Sequence, residues 1–180
     1  TGTGDIGRAV LKFQPEAKVT ALDFSSEMLE LAHQHQGENS HGLNYIRGDA
    51  MSPPFPKEYF EAVTVGYGLR NVADLSACIK NILSLLKPSG VLVCLDVGKV
   101  NIPVIAQLNR FYFFKIVPLI GKWLMPGQEM FDYLPHSSIN YPDQKKLKKI
   151  LLEEGFQKVD VYDFVFGAST IHVAQKPASS

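Results

Sequence analysis

The alternation of short, almost wholly apolar runs with helical stretches constrains this chain more than any other feature. After the opening "TGTGDIG", Asp5 to Phe13 reads as a short helix and "KVTALDF" (Lys18 to Phe24) as a strand ending in an acid. Ser25 is placed to cap the next helix, whose apolar face is Met28, Leu29, Leu31 and Ala32, with Glu27 and Glu30 favouring its N-terminal end. "LNYIRGDA" is a third segment ending in an acid, and "FEAVTVGYG" reads as a buried strand. Leu75, Ile79, Ile82, Leu83 and Leu86 recur at helical spacing, after which "KPSG" turns the chain into "VLVCLDV". Apolar strands separated by helices predict an α/β fold with a parallel sheet covered on both faces.

The second half changes character. From Asn101 to Pro126 the chain is dense in aromatic and aliphatic residues interrupted by Pro103, Pro118 and Gly121, which predicts kinked helices and not another sheet unit. "PDQKKLKKILLEEGF" then reads as an amphipathic helix, and "KVDVYDFVF" and "STIHVAQK", with Gly167 and Ala168 between them, as a closing antiparallel hairpin. A 20.0 kDa chain that is 46% apolar fits one domain, residues 1–180, with an apolar helical insert over residues 101–135. Eighteen basic and eighteen acidic side chains cancel, so no global field gathers nucleic acid or an anionic membrane. Cys78 and Cys94 fall in apolar patterns and read as buried small hydrophobes, which fits a reducing, cytoplasmic setting.

The glycine-rich opening can bring backbone close to a ligand, and no Gly-Lys-Ser/Thr follows, which removes the NTPase phosphate loop. Asp23, at the end of the next strand, can accept both hydroxyls of an adenosine ribose. Asp49 at the end of the third segment is the natural adenine neighbour, with Ala50 or Met51 offering apolar contact. The plainer alternative is that both acids cap the turns that follow them. His33, His35 and His41 sit in a polar loop without Cys or acidic ligands around them, so they read as surface histidines and no metal site is expected.

"GTGD", "DFSSEML", "GDA", "GYGLRNVAD", "LKPSG" and "YPDQKKLKKILLEEGF" together resemble the S-adenosylmethionine-dependent C-methyltransferases of ubiquinone and menaquinone biosynthesis. The resemblance runs from Thr1 to about Lys176. "GTGD" and "LKPSG" are shared by many methyltransferases, whereas "GLRN" (Gly68 to Asn71), the aromatic insert, "YLPHSSI" and the late "PDQ" are specific. It implies a Rossmann-like class I methyltransferase sheet whose first, central strand should precede Thr1. It also implies S-adenosylmethionine as cofactor, contacted by Thr3, Gly4, Asp23, Asp49 and Ala50. Gly66 stands where the ubiquinone branch often has Ser, which removes one hydroxyl contact.

The implied reaction moves a sulfonium methyl to a ring carbon of a prenylated quinol, so the site must stabilise a phenolate and hold the carbon in line. Arg70 suits that task, because its guanidinium is always charged, and Asn71 can orient the same hydroxyl. The alternative for Arg70 is a structural role, bonded to carbonyls or a carboxylate. Tyr133 and His136, beside the insert, are further candidates; His172 lies in a strand pattern and reads as a hydrogen-bonded core residue. The insert, with Phe111, Tyr112, Phe113, Phe114 and Trp123, is apolar enough to line a pocket for a prenyl tail, to touch a membrane peripherally, or to form a homodimer or quinone-pathway contact. Competing readings are a methyltransferase for another small molecule and a catalytically silent chain that acts as a binding or assembly partner. An organelle remains open as the location if a targeting segment lies upstream.

Overall fold

The computed structural model describes residues 1–35, 42–100 and 141–179. Six strands are present there: β1 (Val19–Asp23), β2 (Leu43–Arg47), β3 (Phe60–Gly66), β4 (Leu86–Val97), β5 (Lys158–Phe164) and β6 (Ser169–Gln175). Four helices accompany them: α1 (Asp5–Phe13), α2 (Ser26–Gln34), α3 (Leu75–Leu85) and α4 (Gln144–Glu153). The insert, Tyr133, His136 and His41 lie outside the described residues.

The helix starts follow local chemistry. Ser25, Asp74 and Asp143 each accept a hydrogen bond from the backbone N–H three residues on, which satisfies an amide that the first turn of α2, α3 or α4 would leave unpaired. Gly4 caps α1 differently, in the left-handed region at φ 82°, with no side-chain bond.

The described strands form two sheets. β1 and β2 pair in parallel, Asp23 opposite Arg47, while the second sheet has the order β3-β4-β6-β5. β3 and β4 run parallel; β6 is antiparallel to both β4 and β5, so the closing hairpin expected from sequence is present. Its turn is longer than two residues, because β5 ends at Phe164 and a 3₁₀ turn over Val165–Gly167 precedes β6.

One expectation is corrected. "KPSG" does not stand outside the strand as a turn: Phe60 pairs with Leu86 and Ala62 with Val91, so these residues form a bulge inside β4, with Ser89 at φ 62°. "FEAVTVG" reads as a buried strand; among the described residues it pairs on one side only, with β4, and Glu61, Ala62 and Thr64 are exposed there.

Packing concentrates on one face of the four-stranded sheet. Cys78, Ile79 and Ile82 of α3 and Leu147 and Leu151 of α4 bury against Leu92 and Cys94 of β4, Val159 of β5 and Ala174 of β6. Each fully buried Leu or Ile there contributes about 1.5–3 kcal/mol relative to exposure. A smaller core joins Leu11 of α1 to Ala21 and Leu43. Ile6 of α1 reaches the end of β3, where a side chain on Gly66 would collide with its Cδ1. The glycine loop and α1 therefore meet both sheets at their strand ends, where ligands of open α/β sheets bind.

Candidate active site

The C-terminal ends of β1, β2, β3 and β4 carry the candidate residues, and Ser169, the first residue of β6, joins them by pairing with Val97. The glycine loop is folded against the end of β1. Gly2 N–H donates to Asp23 Oδ2 at 2.6 Å, and Ser25 N–H donates to Asp23 Oδ1 at 3.0 Å. Burial alone would push the Asp23 carboxyl up, and the Ser25 and Gly2 amides oppose that by bonding its charged form. Asp23 thus does what the plainer reading expected, bracing a turn, while its carboxylate stays at the strand end beside Phe24, whose ring is 71% exposed.

Thr3 and Gly4 lie in the same loop. Thr3 Oγ1 donates to Asp5 Oδ2 at 2.5 Å, and Arg8 donates through Nη1 to the Thr3 carbonyl at 2.7 Å. A Cβ on Gly4 would stand 2.7 Å from Tyr45 Oη, so glycine is needed both for its φ and for this close approach. Asp49 and Ala50 follow β2 and are exposed. Asp49 Oδ1 accepts from Met51 N at 2.8 Å, while Asn81 of α3 donates to the Met51 carbonyl at 2.7 Å and fixes the loop.

The second cluster surrounds Arg70, in a 3₁₀ turn (Leu69–Asn71) just after β3. Its side chain is 7% exposed, and Nη1 donates to Asp96 Oδ1 at 2.8 Å; Asp96, near the end of β4, has a side chain 3% exposed. Val97 N–H also donates to Oδ1. The pair is incomplete: among the described residues, Arg70 Nε and Asp96 Oδ2 are buried without a hydrogen-bond partner. Leaving a buried polar atom unpaired costs about 1–3 kcal/mol, more where it is charged, so such atoms ask for a reason.

Tyr67 adds strain. It holds φ 54°, uncommon for a residue with a Cβ, and its ring stacks on the Arg70 guanidinium with Cζ 5.3 Å from the centroid. Its hydroxyl lies 3.3 Å from Ser169 Oγ. Asn71 Nδ2 reaches the Tyr67 carbonyl at 3.5 Å. On the inner side, Cys94 Sγ lies 3.9 Å from Tyr141 Oη. Burial, and then the Asp96 charge, push the Cys94 thiol up to about 12; burial also raises the Tyr141 phenol.

Asp23 and the loop are thus brought together, and Arg70 is placed at the sheet edge, whereas His172 is a buried strand residue whose Nε2 lies 3.0 Å from the Gln144 carbonyl. His33 and His35 belong to α2 and its end. Sequence reading missed Asp96, although the signal that selected Asp23 and Asp49, an acid closing an apolar strand, is present in "VLVCLDV". It also missed Gln144, the last residue of "PDQ". Gln144 Oε1 accepts from Lys99 N, and Nε2 donates to the Lys99 and Gly167 carbonyls, clamping the exit of β4 to the hairpin turn. Gly98 permits this, since a Cβ there would overlap the Gly167 carbonyl.

The arrangement has clear relatives. The chain is 46% identical to the demethylmenaquinone methyltransferase of Leptospira interrogans over 181 residues, 98% of this chain and 73% of that protein. It is 35% identical to the demethylmenaquinone methyltransferase of Staphylococcus haemolyticus over 180 residues, 99% of this chain and 75% of that one. Among solved structures, a chain of the complex between the Haloferax volcanii Trm112 methyltransferase activator and its methyltransferase superposes with a TM-score of 0.72 at 15% identity, covering 98% of this chain and 80% of that chain. An S-adenosylmethionine-dependent methyltransferase of Mesorhizobium loti gives 0.66 at 18% identity, covering 97% and 87%. At such identities the superpositions speak for the fold, which is that of the class I methyltransferases. The profile described as the ubiE/COQ5 methyltransferase family matches residues 1–176, and the chain belongs to that family.

Proposed function

We propose that this protein transfers the methyl group of S-adenosylmethionine to a ring carbon of a prenylated quinol, a demethylmenaquinol in the manner of the relatives' names. The observation that carries the reading is the buried Arg70 guanidinium at the strand-end edge, held by Asp96 in a chain of this family.

The residues present fit the cofactor. The backbone at Gly2 faces open space, where a Cβ would meet none of the described residues within 4 Å, and Asp23 places a carboxylate at the end of β1 next to an exposed aromatic ring. Thr3, Gly4, Asp23, Asp49 and Ala50 would hold S-adenosylmethionine, which supplies an electrophilic methyl. Asp23 would take the ribose hydroxyls and Phe24 would offer its face to the adenine. Arg70 stabilises negative charge on the acceptor oxygen, and burial strengthens that interaction relative to water. Asn71 and Tyr133 are assigned to the acceptor side. Residues 101–135, within a single domain of 1–180, would receive the prenyl tail and meet a membrane surface from the cytoplasmic side; among the described residues no helix is long and apolar enough to cross one.

The test is methyl transfer from isotopically labelled S-adenosylmethionine to a short-chain demethylmenaquinol, run anaerobically with the complete natural protein. Label on a ring carbon is expected. Absence of transfer to any hydroquinol, with transfer to another small molecule, would replace this reading.

A further inference from the structure

Arg70 and Asp96 leave two complementary atoms unused. A guanidinium facing a carboxylate can form two parallel bonds, but here one bond forms, and among the described residues Nε–H and Oδ2 remain without partners although both side chains are more than nine-tenths buried. One is a donor and the other an acceptor. A phenolic hydroxyl is able to serve both kinds of atom at once, since its oxygen accepts from an N–H while its hydrogen is donated to a carboxylate oxygen. Arginine remains protonated in proteins and is a poor proton acceptor, whereas a carboxylate is able to take one. A buried ion pair contributes little to stability, so the incomplete pairing is not explained by folding.

We propose that Asp96 is the general base of the methyl transfer, receiving the acceptor's hydroxyl proton on Oδ2 while Arg70 Nε–H bonds the same oxygen. The inference rests on the methyl-transfer reading above. Tyr67, exposed and stacked on Arg70 in a left-handed backbone conformation, is the side chain that yields to admit the ring. The O–H bond breaks, the proton passes to Asp96, and the electron pair stays on oxygen and enriches the neighbouring ring carbon. That carbon bonds the methyl as the sulfonium carbon–sulfur bond breaks, its electron pair remaining on sulfur. The ring then loses its carbon-bound proton to water, Asp96 returns its proton to the oxygen, and one proton is released overall.

The experiment compares the complete natural protein with its Asp96→Asn variant, using two short-chain hydroquinols, one ordinary and one made more acidic by a halogen. Each variant is first checked by thermal unfolding and by S-adenosylmethionine binding. Asp96→Asn is expected to lose at least ~10²-fold in turnover at pH 7. The loss should shrink as pH rises toward about 10, where a phenol ionises unaided, and should be smaller for the acidic acceptor. If Asn does not fold, Asp96→Ser carries the same comparison. Turnover within about threefold of the natural protein would overturn the proposal. So would a loss of the same size at every pH and with both acceptors, which is the mark of a structural role. Natural protein that methylates no hydroquinol would overturn the methyl-transfer reading itself.

Discussion

Arg70 Nη1 donates to Asp96 Oδ1 at 2.8 Å across 26 residues of sequence, joining the turn after β3 to the end of β4. Both side chains are nearly inaccessible, so each fixes the other's orientation. Changing one therefore acts on chemistry and on stability together, and the two effects have to be measured separately.

Arg70→Ala should lower turnover by at least ~10²-fold with S-adenosylmethionine affinity nearly unchanged, because the role proposed for the guanidinium is toward the acceptor and not the cofactor. It should also destabilise the fold by about 3–5 kcal/mol, since Asp96 is left buried and unpaired. Lys should rescue only in part, having the charge without the planar fork. Parallel kinetics, calorimetry and denaturant unfolding check this. Near-normal turnover would move the role to Tyr133 or Asn71.

Asp23→Ala should weaken S-adenosylmethionine binding by about 1–3 kcal/mol, through lost bonds to the ribose and a loosened glycine loop, since Asp23 accepts from both Gly2 and Ser25 amides. Asn retains one acceptor oxygen and should fall between. Titration calorimetry decides, and equal affinity in all three proteins would remove Asp23 from the site.

Gln144→Ala deletes three hydrogen bonds at a residue that is 6% exposed. The Lys99 amide and the Lys99 and Gly167 carbonyls then lose their partner, at about 1–3 kcal/mol for each that water cannot reach. Urea unfolding should show a lowered midpoint. An unchanged midpoint would mean that solvent already reaches these groups.

His172 is buried, and its imidazole is shifted below its ordinary value because burial disfavours the charged form. The unfolded chain therefore binds the proton more readily. Stability from this group is fully present above about pH 6.5 and declines as pH falls from there through the lower, folded-state value. Unfolding free energies measured from pH 8 down to 5 should fall with this component, and His172→Gln should flatten it. Identical profiles for the two proteins would contradict the assignment.

What the sequence determined by itself was local or periodic. Helical spacing placed α3 and α4, Ser25 marked the start of α2, and apolar runs placed every described strand, because backbone propensity, capping and the two hydrophobic periods are written in neighbouring residues. Acids closing apolar strands marked Asp23 and Asp49 by the same local rule. Only the tertiary structure decided the rest. Pairing with β3 absorbed "KPSG" into a bulge of β4. Asp96 carries the same signal as Asp23, yet its partnership with Arg70 depends on two strand ends lying side by side, and the work of Gln144 depends on Gly98 and Gly167 approaching to backbone contact. Contacts between residues distant in sequence are set by how the sheet packs, and no local pattern encodes which buried acid meets which guanidinium.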